Sequence, residues 1–234
     1  MDFVKAFRSA EDFVFLVGSW LILIPKTLGR VLVSAEWTHS YVTTQLAEPK
    51  TEERYTAYVS PILFWVAVAI VPYIGVFNHY FSTSSAATDK TFYNLPLETK
   101  ILIFSLFLIG LPMGFSFFYN LFSRKPIDRN SLQPMFLTQC YCVALFQLSL
   151  LPYLLWELAN DFGERIPFAV RHRGLIAIVG LIWFLQTEYR VIRSTLQGGF
   201  VKTGLRTLAY IALSFGLTIG MVILMVWIMA ETYG

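Results

Sequence analysis

A chain of 234 residues that is 56% hydrophobic and 17% aromatic but only 14% charged carries more apolar surface than a soluble core of its size can bury. Its net charge of +3 is small and its basic residues are dispersed, which excludes nucleic acid as an expected partner. The two cysteines, Cys140 and Cys142, sit two apart within one expected helix and point to divergent sides, so no disulfide framework and no metal site is implied.

In hydrocarbon, backbone polar groups must be paired internally, which restricts membrane-crossing segments to helices or closed barrels. The apolar residues here run contiguously over roughly 20 positions at a time and do not alternate as barrel strands do. The expected fold is all-α: a polytopic transmembrane helical bundle of about five spans plus an amino-terminal interfacial or re-entrant helix. Residues 1–57 form the expected cytoplasmic region and residues 58–230 the five-helix transmembrane domain.

Glu11 and Asp12 directly precede the first apolar run, unlike the basic start of a secretory signal, so no cleaved signal is expected. That run, Phe13 to Ile24, is short for a span and is closed by Pro25 and Lys26. Extended through Arg30 to Val33, it places basic residues on one side and Leu, Ile, Val and Trp20 on the other, suiting an interfacial helix, with a sixth span as the alternative. The polar stretch from Ser34 to Tyr55 is expected to remain in water.

Span one is expected over Tyr58 to Phe77, opened by Ser60-Pro61, since proline is tolerated in a first helical turn. A Ser-, Thr- and Asn-rich loop from Asn78 to Glu98 follows. Span two covers Lys100 to Phe122, with a bend expected at Pro112. A basic link from Ser123 to Asn130 leads to span three, Pro134 to Leu158. After a connection from Asn160 to Arg173 come span four, Gly174 to Tyr189, a link containing Gly198-Gly199, and span five, Gly204 to Ala230.

Five spans divide the Lys and Arg residues thirteen to five between the two sides of the membrane. The richer side holds the amino terminus, which the retention of basic residues places in the cytoplasm, with the carboxyl terminus outside. The chain contains no Asn-x-Ser/Thr acceptor, in keeping with an expected location in a bacterial inner membrane.

Glycines four apart occur at Gly110 and Gly114 in span two and at Gly216 and Gly220 in span five, the latter preceded by Ala212. Small residues on one face let helix backbones approach closely, so these are candidate packing surfaces, within the subunit or against another. Gln139 and Gln147 make span three the most polar; they are expected to hydrogen-bond between helices, the alternative being a solute path. Glu157, Glu188 and Arg190 lie near expected helix ends beside Trp156 and Tyr189, which suggests an interfacial placement. His39, His79 and His172 fall in separate linkers without metal-ligand spacing and are expected at the surface. No catalytic residue, metal or cofactor is expected, and Glu52-Glu53-Arg54 lacks the longer spacing of intramembrane CAAX-type protease motifs.

An amino-terminal cytoplasmic part, the segment Ala57-Tyr58-Val59-Ser60-Pro61, and five closely spaced spans with an outside carboxyl terminus resemble in layout the Yip1 family, including its small permease-like bacterial members. The resemblance implies a small non-enzymatic membrane protein that works through partners and assigns no residue a role. The expected function is a scaffold or accessory subunit contacting lipid and other membrane protein subunits, or a second copy of itself. A small-solute permease or channel, possibly oligomeric, is the alternative.

Overall fold

The computed structural model describes residues 3–49, 54–73, 97–161, 168–195 and 199–233, and among these there are helices and no strand. His79, the serine-rich part of the Asn78–Glu98 loop, Glu52, Glu53 and Gly198 lie outside the described residues. The helices are α1 (Phe3–Val33), α2 (Glu36–Ala47), α3 (Pro61–Trp65, running on through a π-helical turn at Val66–Ile70 to Tyr73), α4 (Leu97–Phe122), α5 (Arg129–Asp161), α6 (Phe168–Arg171), α7 (Arg173–Thr195) and α8 (Phe200–Tyr233).

Among the described residues, three of them, over Arg129–Tyr153, Arg173–Thr195 and Phe200–Met225, are long and apolar enough to cross a membrane, and Pro61–Tyr73 and Leu108–Phe122 are shorter apolar helices. Three such helices are fewer than the expected five. The expected first span is described only to Tyr73, short of Phe77.

The burial pattern is that of a bundle in lipid. The inward face of α8 is largely small and polar, with Thr203, Thr207, Ser214 and Thr218 buried beside Tyr210 and Ile211, while Leu205, Leu208 and Ile223 on the outside are 65%, 60% and 63% exposed. A water-facing helix would show the reverse polarity. The inward hydroxyls are satisfied along their own helix: Thr207 Oγ1 donates to Thr203 O, Ser214 Oγ to Tyr210 O and Thr218 Oγ1 to Ser214 O, at 2.8–2.9 Å. That leaves slim surfaces for α4, which crosses close at Gly110 and Gly114.

Helix α5 is the central element and divides the interior in two. Cys140, Tyr141 and Ala144 pack with Val31, Val42, Phe64 and Trp65 of α1, α2 and α3. Cys142, Val143 and Phe146 pack with Phe115, Phe184 and Tyr210 of α4, α7 and α8. Phe146 stacks on Phe184 at 4.7 Å, and Phe115 meets Phe184 edge-on at 5.4 Å, contacts worth about 0.5–1.5 kcal/mol each beyond their burial.

Local chemistry explains several boundaries. Arg124 takes a left-handed conformation at φ 54°, while Lys125 N–H bonds Asn120 O at 2.9 Å and Arg124 N–H bonds Leu121 O at 3.2 Å, the paired bonds of a Schellman end to α4. Asp128 Oδ1 then accepts the Ser131 N–H at 2.9 Å and caps α5. Ahead of α3, Val59 has both backbone groups taken: its N–H bonds Thr27 Oγ1 at 3.1 Å, and its carbonyl accepts the Tyr141 hydroxyl.

Helix α1 runs through Pro25 to Val33, the end expected for the extended segment. The stretch from Ser34 to Tyr55 contains a helix the sequence did not announce, α2, whose Thr38 and Val42 are fully buried. Thr38 is small enough to bring α2 against α5, and its hydroxyl is satisfied by the carbonyl of Ala35.

Candidate functional site

The polar side chains of α5 serve two separate places. Gln147 is fully buried on the α3 side, where its Oε1 accepts the Trp65 Nε1–H at 2.9 Å and its backbone carbonyl accepts the Tyr73 hydroxyl at 2.7 Å. Its Nε2 donates across 3.5 Å to Leu108 O. Pro112, four residues beyond Leu108, has no N–H to offer that carbonyl, so the glutamine fills the gap that the proline leaves in α4.

Gln139, two turns earlier, serves the other side. Its Nε2 donates to Glu188 Oε2 of α7 at 3.1 Å and to the Tyr210 hydroxyl of α8 at 3.2 Å. All three side chains are almost completely buried, so three helices meet at one polar node. Glu188 Oε1 and Gln139 Oε1 have no hydrogen-bond partner among the described residues. A buried acidic group with an unfilled oxygen is the strongest functional candidate in the described part of the chain.

Glu188 therefore faces the interior of the bundle and not its surface. Helix α7 runs past Tyr189 to Thr195, which puts Glu188 about two turns, roughly 10 Å, inside its end. Phe184, Thr187, Val191 and Ile192 are buried on the same face. Phe184, four residues before Glu188, and Val191 and Ile192, three and four after it, are the sequence signal that marks it as inward-facing. Tyr210, Trp65 and Tyr73, the partners of the two glutamines, carry no comparable signal. Arg190, by contrast, is exposed, and Glu157 lies in α5 with its side chain outside the described set.

His39 is also corrected from a surface position: it is half-buried, with Nδ1 3.3 Å from Thr138 Oγ1. The Thr138 hydroxyl proton goes to Pro134 O at 2.8 Å, so the histidine must donate, which assigns its proton to Nδ1. Burial first, and the nearby Lys125 charge second, hold His39 below its ordinary pKa. Next to it, Cys142 Sγ lies 3.9 Å from Thr38 Oγ1; the threonine proton is already given to Ala35 O, which makes the thiol the donor. Both cysteines are free and buried, on opposite sides of α5.

The two small-residue faces differ in use. A Cβ at Gly110 would come within 3.0 Å of Thr218 Cγ2, and one at Gly114 within 3.2 Å of Ser214 O, so that face is filled by α8. Gly216 and Gly220 meet nothing within 4 Å, and Ala212 on the same face is exposed. A further close approach was missed: a Cβ at Gly180 of α7 would overlap the Ser149 side chain of α5. Gly180 belongs to no four-residue repeat, which hid it.

Among the described residues, no group of three or more His, Cys, Asp or Glu side chains could hold a metal ion. No family model, curated protein or solved structure matches the chain.

Proposed function

We propose that this protein is a non-enzymatic helical membrane scaffold or accessory subunit that joins other membrane proteins, or a second copy of itself, through the outward face of α8. The carrying observation is the open row Ala212, Gly216 and Gly220, whose counterpart Gly110 and Gly114 is already filled within the chain. Lipid chains fill such a row less well than a second helix does, and small residues are where membrane helices approach. The polar groups of α5 are engaged in bonds between helices, which favours a packing role for them over chemistry.

In this reading the chain crosses the membrane five times, with α3 and α4 joining the three longer helices and the amino terminus in the cytoplasm. The thirteen-to-five division of basic residues supports that orientation. A cytoplasm-active reporter fused after Gly234 is expected to be silent; strong activity there contradicts five crossings.

The association itself is tested by single cysteines at Gly216 and Gly220 on a background lacking Cys140 and Cys142. Cross-linking in native membranes to a partner or a second copy is expected at these positions and not at Thr218, which faces inward. No cross-link at either glycine contradicts the scaffold reading.

The alternative, a small-solute permease or channel, draws on one observation, the unpartnered Glu188 oxygen in the interior. Cys142 packs in the same interior cluster as Tyr210. Its modification by a membrane-impermeant thiol reagent supports a wet path; resistance from both sides removes that support.

A further inference from the structure

A cavity of about 170 Å³ lies where the end of α1 meets α7, with Leu32, Val33, Trp183, Gln186 and Arg190 in its wall. Trp183 fixes the junction by donating its Nε1–H to Leu32 O at 3.1 Å. Arg190 Nη1 is 3.5 Å from Glu36 Oε2, and the two side chains are 54% and 47% exposed. Such a half-exposed pair contributes little stability, and both charged groups remain accessible from outside.

The outward face of α7 leads into this site. Ile178, Ile182, Gln186 and Arg190 recur every four residues, and the two isoleucines are 57% and 50% exposed. Over these three turns, about 18 Å of helix, the face passes from aliphatic to amide to guanidinium. A glycerophospholipid has the same order of groups along its length: acyl chain, ester carbonyl, phosphate.

We propose that this ladder and cavity bind one phospholipid with a phosphoethanolamine headgroup. Arg190 meets the phosphate, Gln186 Nε2 donates to an ester carbonyl, and Glu36 accepts the primary ammonium. The acid beside the arginine sets the headgroup class. It repels a headgroup that carries only negative charge, and it gains hydrogen bonds from an ammonium that a quaternary choline cannot supply. The inference goes beyond the scaffold role and stands independently of it, because it concerns α1, α2 and α7 and not the face of α8.

Native mass spectrometry of the purified full chain tests it, with phosphatidylethanolamine, phosphatidylcholine and phosphatidylglycerol of identical acyl chains supplied in equal amounts. The parent is expected to keep ethanolamine-lipid adducts several-fold over the other two. E36Q is expected to abolish the preference over phosphatidylglycerol, and R190Q to lower ethanolamine-lipid adducts to the phosphatidylcholine level. Equal retention of the three lipids by the parent, or a preference unchanged in E36Q, overturns the proposal. If R190Q fails to fold, the lipid ratio in E36Q decides alone.

Discussion

The Gln139 amide donates to the Glu188 carboxyl at 3.1 Å, and neither side chain is exposed. With its second hydrogen on Tyr210, the one amide joins α5 to both α7 and α8. Replacing Gln139 with Leu leaves the buried acid without that donor and is expected to cost about 1–3 kcal/mol. On a Y210F background, which removes the third polar member of the node, the double variant Q139L/E188L should recover much of the loss, because apolar partners then leave nothing unsatisfied. Denaturant unfolding of the four proteins in mixed micelles measures the coupling; additive losses contradict a direct bond.

The two glycine faces are expected to respond in opposite ways. Gly114→Leu pushes a side chain into Ser214 and should lower stability by about 1–3 kcal/mol. Gly216→Leu meets open space, so the isolated chain should stay within about 0.5 kcal/mol of the parent while losing its association. Thermal unfolding of monomeric protein, paired with cross-linking in membranes, separates the two effects.

At the start of α5, Asp128→Ala removes the acceptor for the Ser131 N–H and is expected to destabilise by about 1 kcal/mol. Asp128→Asn keeps an acceptor oxygen and should lose clearly less. Unfolding midpoints of the two variants provide the comparison.

His39 gives stability a pH dependence of definite sign. Its folded-state pKa is depressed, by burial first and Lys125 second, so near its ordinary value of about 6.5 the unfolded chain binds more protons than the folded one. The stability contributed by the neutral ring is present above that value and is lost as pH falls through the window below it. His39→Gln should flatten the unfolding midpoint between about pH 7 and 5. An unchanged pH slope in that variant contradicts the assignment.

Apolar length alone revealed the helical class and the approximate positions of α4, α5, α7 and α8, because spanning segments must be long and continuously apolar. Pro61 likewise marked the start of α3. Helix α2 was not legible: its contact with α5 depends on Thr38 and Val42 between polar neighbours, without a broad apolar stripe to announce it. Glu188 was legible but misread, since its aromatic neighbour Tyr189 drew attention away from the buried register of Phe184, Thr187, Val191 and Ile192. The two glycine pairs look alike in sequence, and only the crossing of α4 over Ser214 and Thr218 distinguishes the filled face from the open one.

In the proposed arrangement α8 presents its apolar side to lipid and its largely small, polar side to the bundle. Spin labels at single cysteines replacing Leu205, Leu208, Leu217 and Leu224, in bilayers and without the native cysteines, test this most directly. The account predicts that relaxation by lipid-dissolved oxygen rises and relaxation by an aqueous nickel chelate falls from Leu205 toward Leu217, with Leu217 closed to the chelate. Ready access of the chelate to Leu217 contradicts a membrane-embedded α8.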